Sequence, residues 1–156
     1  MEEDKLRQEL LNYLGHVHAH APLSKAVANF PIEMINKKPE GVPYTFFGLL
    51  EHIRTSQKDM IDFIVNPEYK EPNWPKDFWP DPDFKATLEM WEESVNNYEK
   101  DLEDFKSIIE DSKTDLFAKI PHGTGQTIFK EALQIIDHAA YHIGEFVLMR
   151  RVIGIW

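Results

Sequence analysis

Two histidines four residues apart, His138 and His142, are the strongest chemical signal in the sequence. On a helix this spacing places both imidazoles on one face, one turn apart. A helix offers two nitrogen ligands to a single metal ion in this way. The alternative is a pair of partly buried histidines that hydrogen-bond to neighbouring carbonyls or carboxylates. We therefore treat the pair as candidate metal ligands.

Glu145 follows His142 by three residues, which puts a carboxylate on the same side of that helix. It could orient a ligand, polarise a bound water or act as a base. An ion pair at the surface or with a neighbouring helix is the alternative role. The small residues Ala139, Ala140 and Gly144 would let other helices approach closely.

His52 is the candidate third ligand. It lies beside the apolar stripe of an earlier helix, next to Leu49 and Ile53. A lone histidine in that position is also compatible with a hydrogen-bonded core residue. Three imidazoles without a thiolate suit Zn²⁺, Ni²⁺ or Fe²⁺ and leave coordination positions open.

The remaining histidines are weaker candidates. His16 and His20 also stand four residues apart and could form a second metal pair, but Gly15 and Pro22 bracket them and can interrupt a helix. His122 follows Pro121 in a loop, where it is either a residue of the substrate pocket or an ordinary turn residue.

Four segments carry the three- and four-residue apolar spacing of amphipathic helices. They run over residues 4–14, from Thr45 to about Asn66, from about Asp83 to Glu110, and from Thr127 or Gly125 to about Arg151. No alternating strand pattern competes with them. The sequence predicts an all-α, four-helix bundle in a single domain spanning residues 1–156.

Residues 67–82 contain five of the ten prolines and cannot form a helix interior. Their aromatic residues, Trp74, Phe78 and Trp79, are expected to pack onto the domain, because so apolar an exposed stretch would favour aggregation. Trp74, Trp79 and Trp91 are interpreted as core or lid residues rather than ligand stackers.

Composition narrows the classes of partner. The net charge of −10 disfavours nucleic acid as the main partner. Between Asp81 and Asp111, eleven acidic residues are accompanied by only three lysines, which indicates a solvated helix face, with an acidic docking surface as the alternative. The absence of cysteine excludes disulfides, thiolate ligands and a cysteine nucleophile. No apolar run approaches the roughly 20 residues of a membrane span, and the first residues lack the pattern of a secretion signal, so we expect a cytoplasmic protein without membrane contact.

Several motifs together resemble the DinB/YfiT-like family. Residues 125–156, which include Asp137-His138-Ala139-Ala140-Tyr141-His142-Ile143-Gly144-Glu145, resemble the closing helix of DinB-like proteins. Leu49-Leu50-Glu51-His52 resembles the leucine-leucine-glutamate-histidine motif of the family's second helix. Ala19-His20-Ala21-Pro22 and the Trp-Pro pairs at 74–75 and 79–80 resemble features of one branch. The resemblance covers essentially the whole chain.

This resemblance implies a bundle of the DinB/YfiT type with a long crossover connection. It also implies one divalent metal held by His52, His138 and His142, with Glu145 or Glu51 as supporting or basic residues. The family more often has glutamine where this chain has Glu145. Glutamine cannot act as a base, so the resemblance does not assign that role to Glu145. His20, in the branch motif, would line the mouth of the active site.

The resemblance further implies a function. Relatives include S-transferases that use a low-molecular-weight thiol as cosubstrate, so a metal-dependent enzyme acting on a small molecule is the leading expectation. A metal-dependent hydrolase and a non-catalytic module that binds metal or a small ligand are the alternatives. A homodimer is also implied.

Overall fold

A computed structural model of the chain describes residues 2–15 and 19–156. Five α-helices follow in order: α1 (Glu2–Gly15), α2 (Leu23–Val27), α3 (Phe46–Val65), α4 (Leu88–Glu110) and α5 (Ile128–Val152). A short 3-10 helix covers Ile32–Met34. No strand occurs among the described residues, where only an isolated bridge joins Lys119 to Thr127. The predicted all-α class is therefore confirmed.

Threonine side chains start the three longest helices. Thr45 accepts a hydrogen bond from the Gly48 amide at the start of α3, as its position in the sequence predicts. Thr127, rather than Gly125, caps α5 in the same way. Each cap satisfies an amide that the first helical turn would otherwise leave unpaired.

Helix α4 begins five residues later than the sequence pattern indicates. Thr87 accepts from the Met90 amide and caps the helix there. Asp83, the predicted start, instead lies in a turn in which its amide donates to the Asp81 carboxylate. Just before Thr87, the Asn36 side chain donates to the Ala86 carbonyl and accepts from the Ala86 amide, which ties this backbone to the connection before α3 rather than to a helix.

The four long helices pack as a bundle. Helix α3 packs against both α4 and α5, and α1 packs against the same two helices. The short α2 lies against α5. The core between them consists of aliphatic and aromatic side chains contributed by every helix; its fully buried members include Phe46, Leu49, Leu50, Ile53, Phe105, Ile109, Ile135 and Phe146. This packing holds α3 and α5 side by side.

The proline-rich connection from α3 to α4 is irregular, as predicted, and it lies over the α3 side of the bundle. Trp79 packs against Tyr44 and against His52 on α3. The expectation that all its aromatic residues are packed is wrong for Trp74, which is 68% exposed. The Trp74 ring contacts Phe78 and His52 on one side, and the rest of its indole ring faces solvent. Trp91 is a core residue stacked on Phe30, as the sequence interpretation has it.

No helix in the described part of the chain combines the length and the apolar character needed to cross a membrane.

Candidate metal centre

Three histidine side chains meet at the interface of α3 and α5. His52 comes from α3, whereas His138 and His142 come from successive turns of α5. His52 Nε2 lies 3.2 Å from His138 Nε2 and 3.2 Å from His142 Nε2. One nitrogen from each residue lies within 4.8 Å of the others, so the group could hold a metal ion. The structure brings together the three residues proposed as ligands from the sequence.

Hydrogen bonds on the far side of two rings determine which nitrogen faces the cluster. His52 Nδ1 lies 3.2 Å from the Phe78 carbonyl oxygen, to which it can only donate. His142 Nδ1 lies 2.6 Å from Glu145 Oε2, to which it also donates. A neutral imidazole with its proton on Nδ1 presents a lone pair at Nε2. Both Nε2 atoms therefore point lone pairs into the cluster.

The spacing of these nitrogens suits a bound cation. A tetrahedral metal with bonds of about 2.0–2.1 Å to imidazole nitrogen holds its ligand atoms about 3.3–3.4 Å apart. The two observed separations of 3.2 Å are close to that value. The Nε2 lone pairs of His52 and His142 face one another at this distance and repel, and a shared cation would convert that repulsion into attraction. The donor set thus fits a divalent metal, with three protein ligands and further positions open.

Burial keeps the imidazoles of His52 and His138 neutral. His52 is 2% exposed, and this burial lowers its pKa to about 4, against the opposing effect of the Phe78 carbonyl. Burial and the neighbouring His142 and His52 rings likewise lower the pKa of His138 to about 4. Metal ligation requires neutral imidazole, so the site is ready to bind near neutral pH without first losing protons from these two residues.

An aromatic pair covers one side of the cluster. The Trp79 ring stacks on His52 with centroids 3.9 Å apart and planes within 9° of parallel. Tyr44 stacks on Trp79 at 4.9 Å. A cavity of about 320 Å³ lies beside this pair and is lined by Tyr44, Trp79 and Phe84, among others. Trp79 therefore separates a cavity from the most deeply buried of the three histidines.

Glu145 supports the cluster through His142. Its carboxylate accepts the His142 Nδ1 proton and also faces Tyr44. Burial and the Glu145 carboxylate together raise the pKa of Tyr44 to about 12, so the phenol stays protonated. Tyr44 was not identified from the sequence, because nothing in Pro43-Tyr44-Thr45 marks it as a neighbour of Glu145.

Glu51, the other acidic candidate, is engaged away from the histidines. Arg54 donates to both of its oxygens, at 2.9 and 2.7 Å, and Ser94 donates a further hydrogen bond. Burial alone would raise its pKa, but these donors outweigh burial and lower it. A carboxylate paired in this way is a weak base.

The other histidine candidates lie apart from the cluster. His20 lines a cavity of about 240 Å³ between α1, α4 and α5 whose lining includes none of the three clustered histidines. His122 donates to the Phe63 carbonyl at 2.7 Å near the end of α3, eleven residues and about 16 Å along that helix from His52. His16, the suggested partner of His20 in a second metal pair, lies outside the described residues.

In its described residues the chain is an all-helical bundle with a partly buried three-histidine cluster. Comparison with known proteins finds no matching family model, no matching curated protein and no matching solved structure.

Proposed function

We propose that this chain binds one divalent metal through His52, His138 and His142 and is a metal-dependent enzyme acting on a small molecule. The convergence of three imidazole nitrogens at the α3–α5 interface carries the proposal. Structural zinc sites are usually closed by four ligands with cysteine among them, whereas this chain offers three histidines and has no cysteine. An open coordination sphere is the arrangement that catalytic metal sites use.

The residues around the cluster have separable roles in this proposal. A divalent cation held by three imidazoles supplies Lewis acidity, which makes a thiol or a water nucleophilic near neutral pH. Phe78 and Glu145 hold the protons of His52 and His142 on Nδ1 and so keep both Nε2 lone pairs available. Trp79 shields His52 from solvent on its stacked face.

The reaction class rests on the resemblance to DinB/YfiT-like proteins. We favour transfer to or from the sulfur of a low-molecular-weight thiol, supplied as cosubstrate. The chain's lack of cysteine suits a thiol that comes from outside. The cavity beside Tyr44 and Trp79 is of a size for a small molecule and lies next to the aromatic cover of His52. We also propose that the bundle is of the DinB/YfiT type, with its long crossover connection.

The decisive measurement is the metal content of the protein, purified without a histidine tag and analysed by elemental mass spectrometry. We expect about one equivalent of Zn, Ni or Fe per chain, before or after reconstitution. His52→Ala and His142→Ala each remove a ligand and should lower retained metal at least tenfold.

His20→Ala is the matched control, because it deletes an imidazole that lies outside the cluster. It should retain the wild-type metal content. A wild-type protein that takes up none of Zn²⁺, Ni²⁺ or Fe²⁺ would overturn the metal centre. Equal loss of metal from His20→Ala would show that the ligand set is wrong.

Turnover with and without added thiol then separates the reaction classes. Thiol-dependent consumption of an electrophile supports the transferase, and thiol-independent hydrolysis supports the hydrolase. A metal-loaded protein without either activity supports a non-catalytic binding module.

A further inference from the structure

A second cavity lies away from the histidine cluster. Its volume is about 240 Å³, and α1, α4, α5 and the start of α2 contribute its walls. None of the three clustered histidines belongs to its lining. An engineered apolar cavity of about 150 Å³ in another protein binds benzene. The larger volume here therefore suits a substituted aromatic ring or a branched chain of similar size.

The inner walls of this cavity are hydrocarbon. They include five aliphatic side chains that are at most 6% exposed: Leu14, Leu23, Leu102, Ile135 and Ile143. An ion buried among them would lose its hydration without gaining a partner, whereas burial of a neutral hydrocarbon surface is favourable. The polar lining residues Tyr13, His20 and Glu99 keep contact with solvent, so they mark the mouth of the cavity.

Small residues on α5 leave this space open. Ala139 and Ala140 line the cavity at positions where longer side chains would enter it. Helix α1 also makes less contact with α5 than with α4, so the bundle is less tightly closed along this side. The described chain thus leaves room for a ligand between α1 and α5.

One buried donor faces this hydrocarbon interior. Tyr98 lines the cavity and is 4% exposed, and its hydroxyl makes no hydrogen bond with residues 2–15 or 19–156. Among the described side chains, only Gln57 Oε1 is both fully buried and without a partner, so the Tyr98 hydroxyl must keep some accessible surface. The cavity provides that surface. A buried donor without an acceptor is unfavourable, and a ligand oxygen would satisfy it.

The Tyr98 hydroxyl remains a donor over the physiological pH range. Burial, followed by the nearby Glu99 carboxylate, raises the pKa of Tyr98 above its ordinary value of 10.0. The protonated phenol can therefore donate to a carbonyl or ether oxygen. The backbone carbonyl of Tyr98 accepts from Gln57 Nε2 at 2.9 Å, which fixes this turn of α4 against α3.

We propose that this cavity is a second binding site, which takes a neutral small molecule with a compact hydrocarbon body and one oxygen acceptor, of the aryl ketone type. The hydrocarbon body fills the space beside Ala139 and Ala140. The ligand oxygen accepts a hydrogen bond from the Tyr98 hydroxyl. No metal takes part, because the lining contains none of the clustered histidines.

Two fluorinated probes of nearly the same shape test the role of Tyr98. para-Fluoroacetophenone carries the oxygen acceptor, and para-fluorocumene has a methyl group in place of that oxygen. Fluorine NMR titration measures both dissociation constants. Tyr98→Phe keeps the ring but removes the donor, so it should weaken binding of the ketone about two- to tenfold and should not weaken binding of the hydrocarbon. Tyr141→Phe removes an exposed hydroxyl outside the lining and should change neither constant.

Filling the cavity is the second test. Ala140→Leu places a larger side chain in the lining and should weaken binding of both probes at least about tenfold. Ala118→Leu, the same change at an exposed position between α4 and α5, is the control and should leave both constants within about twofold of wild type. Circular dichroism checks that each variant is folded.

His142→Ala separates this cavity from the metal centre. It removes a candidate metal ligand and should bind both probes as wild type does. Loss of binding in that variant would place the probes at the histidines and overturn the proposal. So would a wild type that binds neither probe at about 1 mM, a ketone affinity that Tyr98→Phe leaves unchanged, or probe binding that Ala140→Leu leaves intact. A protein without metal would still give these readings, so the two proposals can fail separately.

Discussion

At the scale of single residues, Glu145 acts on the cluster through its neighbour. Its carboxylate is one helical turn from His142 and accepts the Nδ1 proton at 2.6 Å, so it determines both the tautomer and the orientation of that ring. The same carboxylate faces the Tyr44 phenol. With two hydrogen-bonding partners already, Glu145 is better placed to position a ligand than to accept a proton from a substrate.

Glu145→Ala should weaken metal affinity by about 10- to 100-fold, because the His142 ring loses the acceptor that orients it. Glu145→Gln keeps an acceptor oxygen in the same place and should lose much less, within about fivefold. Competition with a chromophoric chelator measures both constants. If the glutamine variant were as impaired as alanine, the negative charge rather than the hydrogen bond would be the essential property, and a role as base would regain support.

The sequence was informative about the ligands and uninformative about their surroundings. Spacing placed His138 and His142 on one face of α5, and the motif resemblance singled out His52. The Phe78 carbonyl and the Tyr44 phenol could not be found in this way, since they come from connections whose path depends on the folded bundle. Glu51 was a candidate because it stands next to His52 in the sequence. Adjacent residues of a helix point to different sides, and on its side of α3 Glu51 pairs with Arg54.

At the scale of helices, Arg7 joins α1 to the end of α4. Its guanidinium is buried and donates to the carbonyl oxygens of Ile109, Asp111 and Thr114. The last carbonyls of a helix have no partner within the helix, and they lie at the negative end of its dipole. A single arginine therefore completes the C-terminus of α4.

Arg7→Met should lower the free energy of unfolding by about 2–3 kcal/mol, because it leaves buried carbonyls without their charged donor. The free energy of unfolding of Arg7→Lys should lie between those of wild type and Arg7→Met, since an ammonium group keeps the charge but lacks the planar guanidinium that reaches several acceptors. Lys5→Met, on the exposed side of α1, is the control and should change stability by less than about 0.5 kcal/mol. Urea unfolding gives all three values. Equal stability of Arg7→Met and wild type would contradict the capping role.

Helix boundaries followed the sequence wherever a cap and an apolar period coincided, as at Thr45 and Thr127. The start predicted near Asp83 is too early, since α4 begins at Leu88 after the Thr87 cap. Asn36, 50 positions earlier, holds both backbone groups of Ala86, and sequence periodicity carries no information about such a contact. The hydrogen bonds from Arg7 to the end of α4 could not be predicted either, because the accepting carbonyl groups are 102 or more residues away in the sequence.

At the scale of the whole molecule, the chain has an excess of acidic residues, and one of their carboxyl groups is buried in the fold. The chain carries a net charge of −10, and Glu131 is a buried residue in the first turn of α5. Burial raises the pKa of Glu131 above its ordinary value of 4.5; Lys130 opposes this effect and Asp59 adds to it. The folded state therefore holds the Glu131 proton more tightly than the unfolded chain does.

This shift has a definite sign in stability. The protonated Glu131 carboxyl contributes to the stability of the fold. This contribution is fully present below pH 4.5 and is lost as the pH rises through the higher pKa of the folded state. Glu131→Gln removes the charge, so its melting temperature should exceed that of wild type at pH 7.5, and the difference should shrink towards zero at acid pH. Glu92→Gln removes the same charge from an exposed position and should gain less. A Glu131→Gln variant that melts below wild type at pH 7.5 would mean that the ionised carboxylate stabilises the fold.

The bond from His52 to the Phe78 carbonyl has an evolutionary consequence. The acceptor is a main-chain atom, so substitution of the residue at position 78 leaves it in place, and the ring stays oriented whatever side chain stands there. An insertion or deletion between Pro67 and Trp79 is different, because it would move the carbonyl away from the ring. The side chain at position 78 is thus free to change, whereas the segment 67–79 is constrained in length, an asymmetry that distant descendants of this chain should retain.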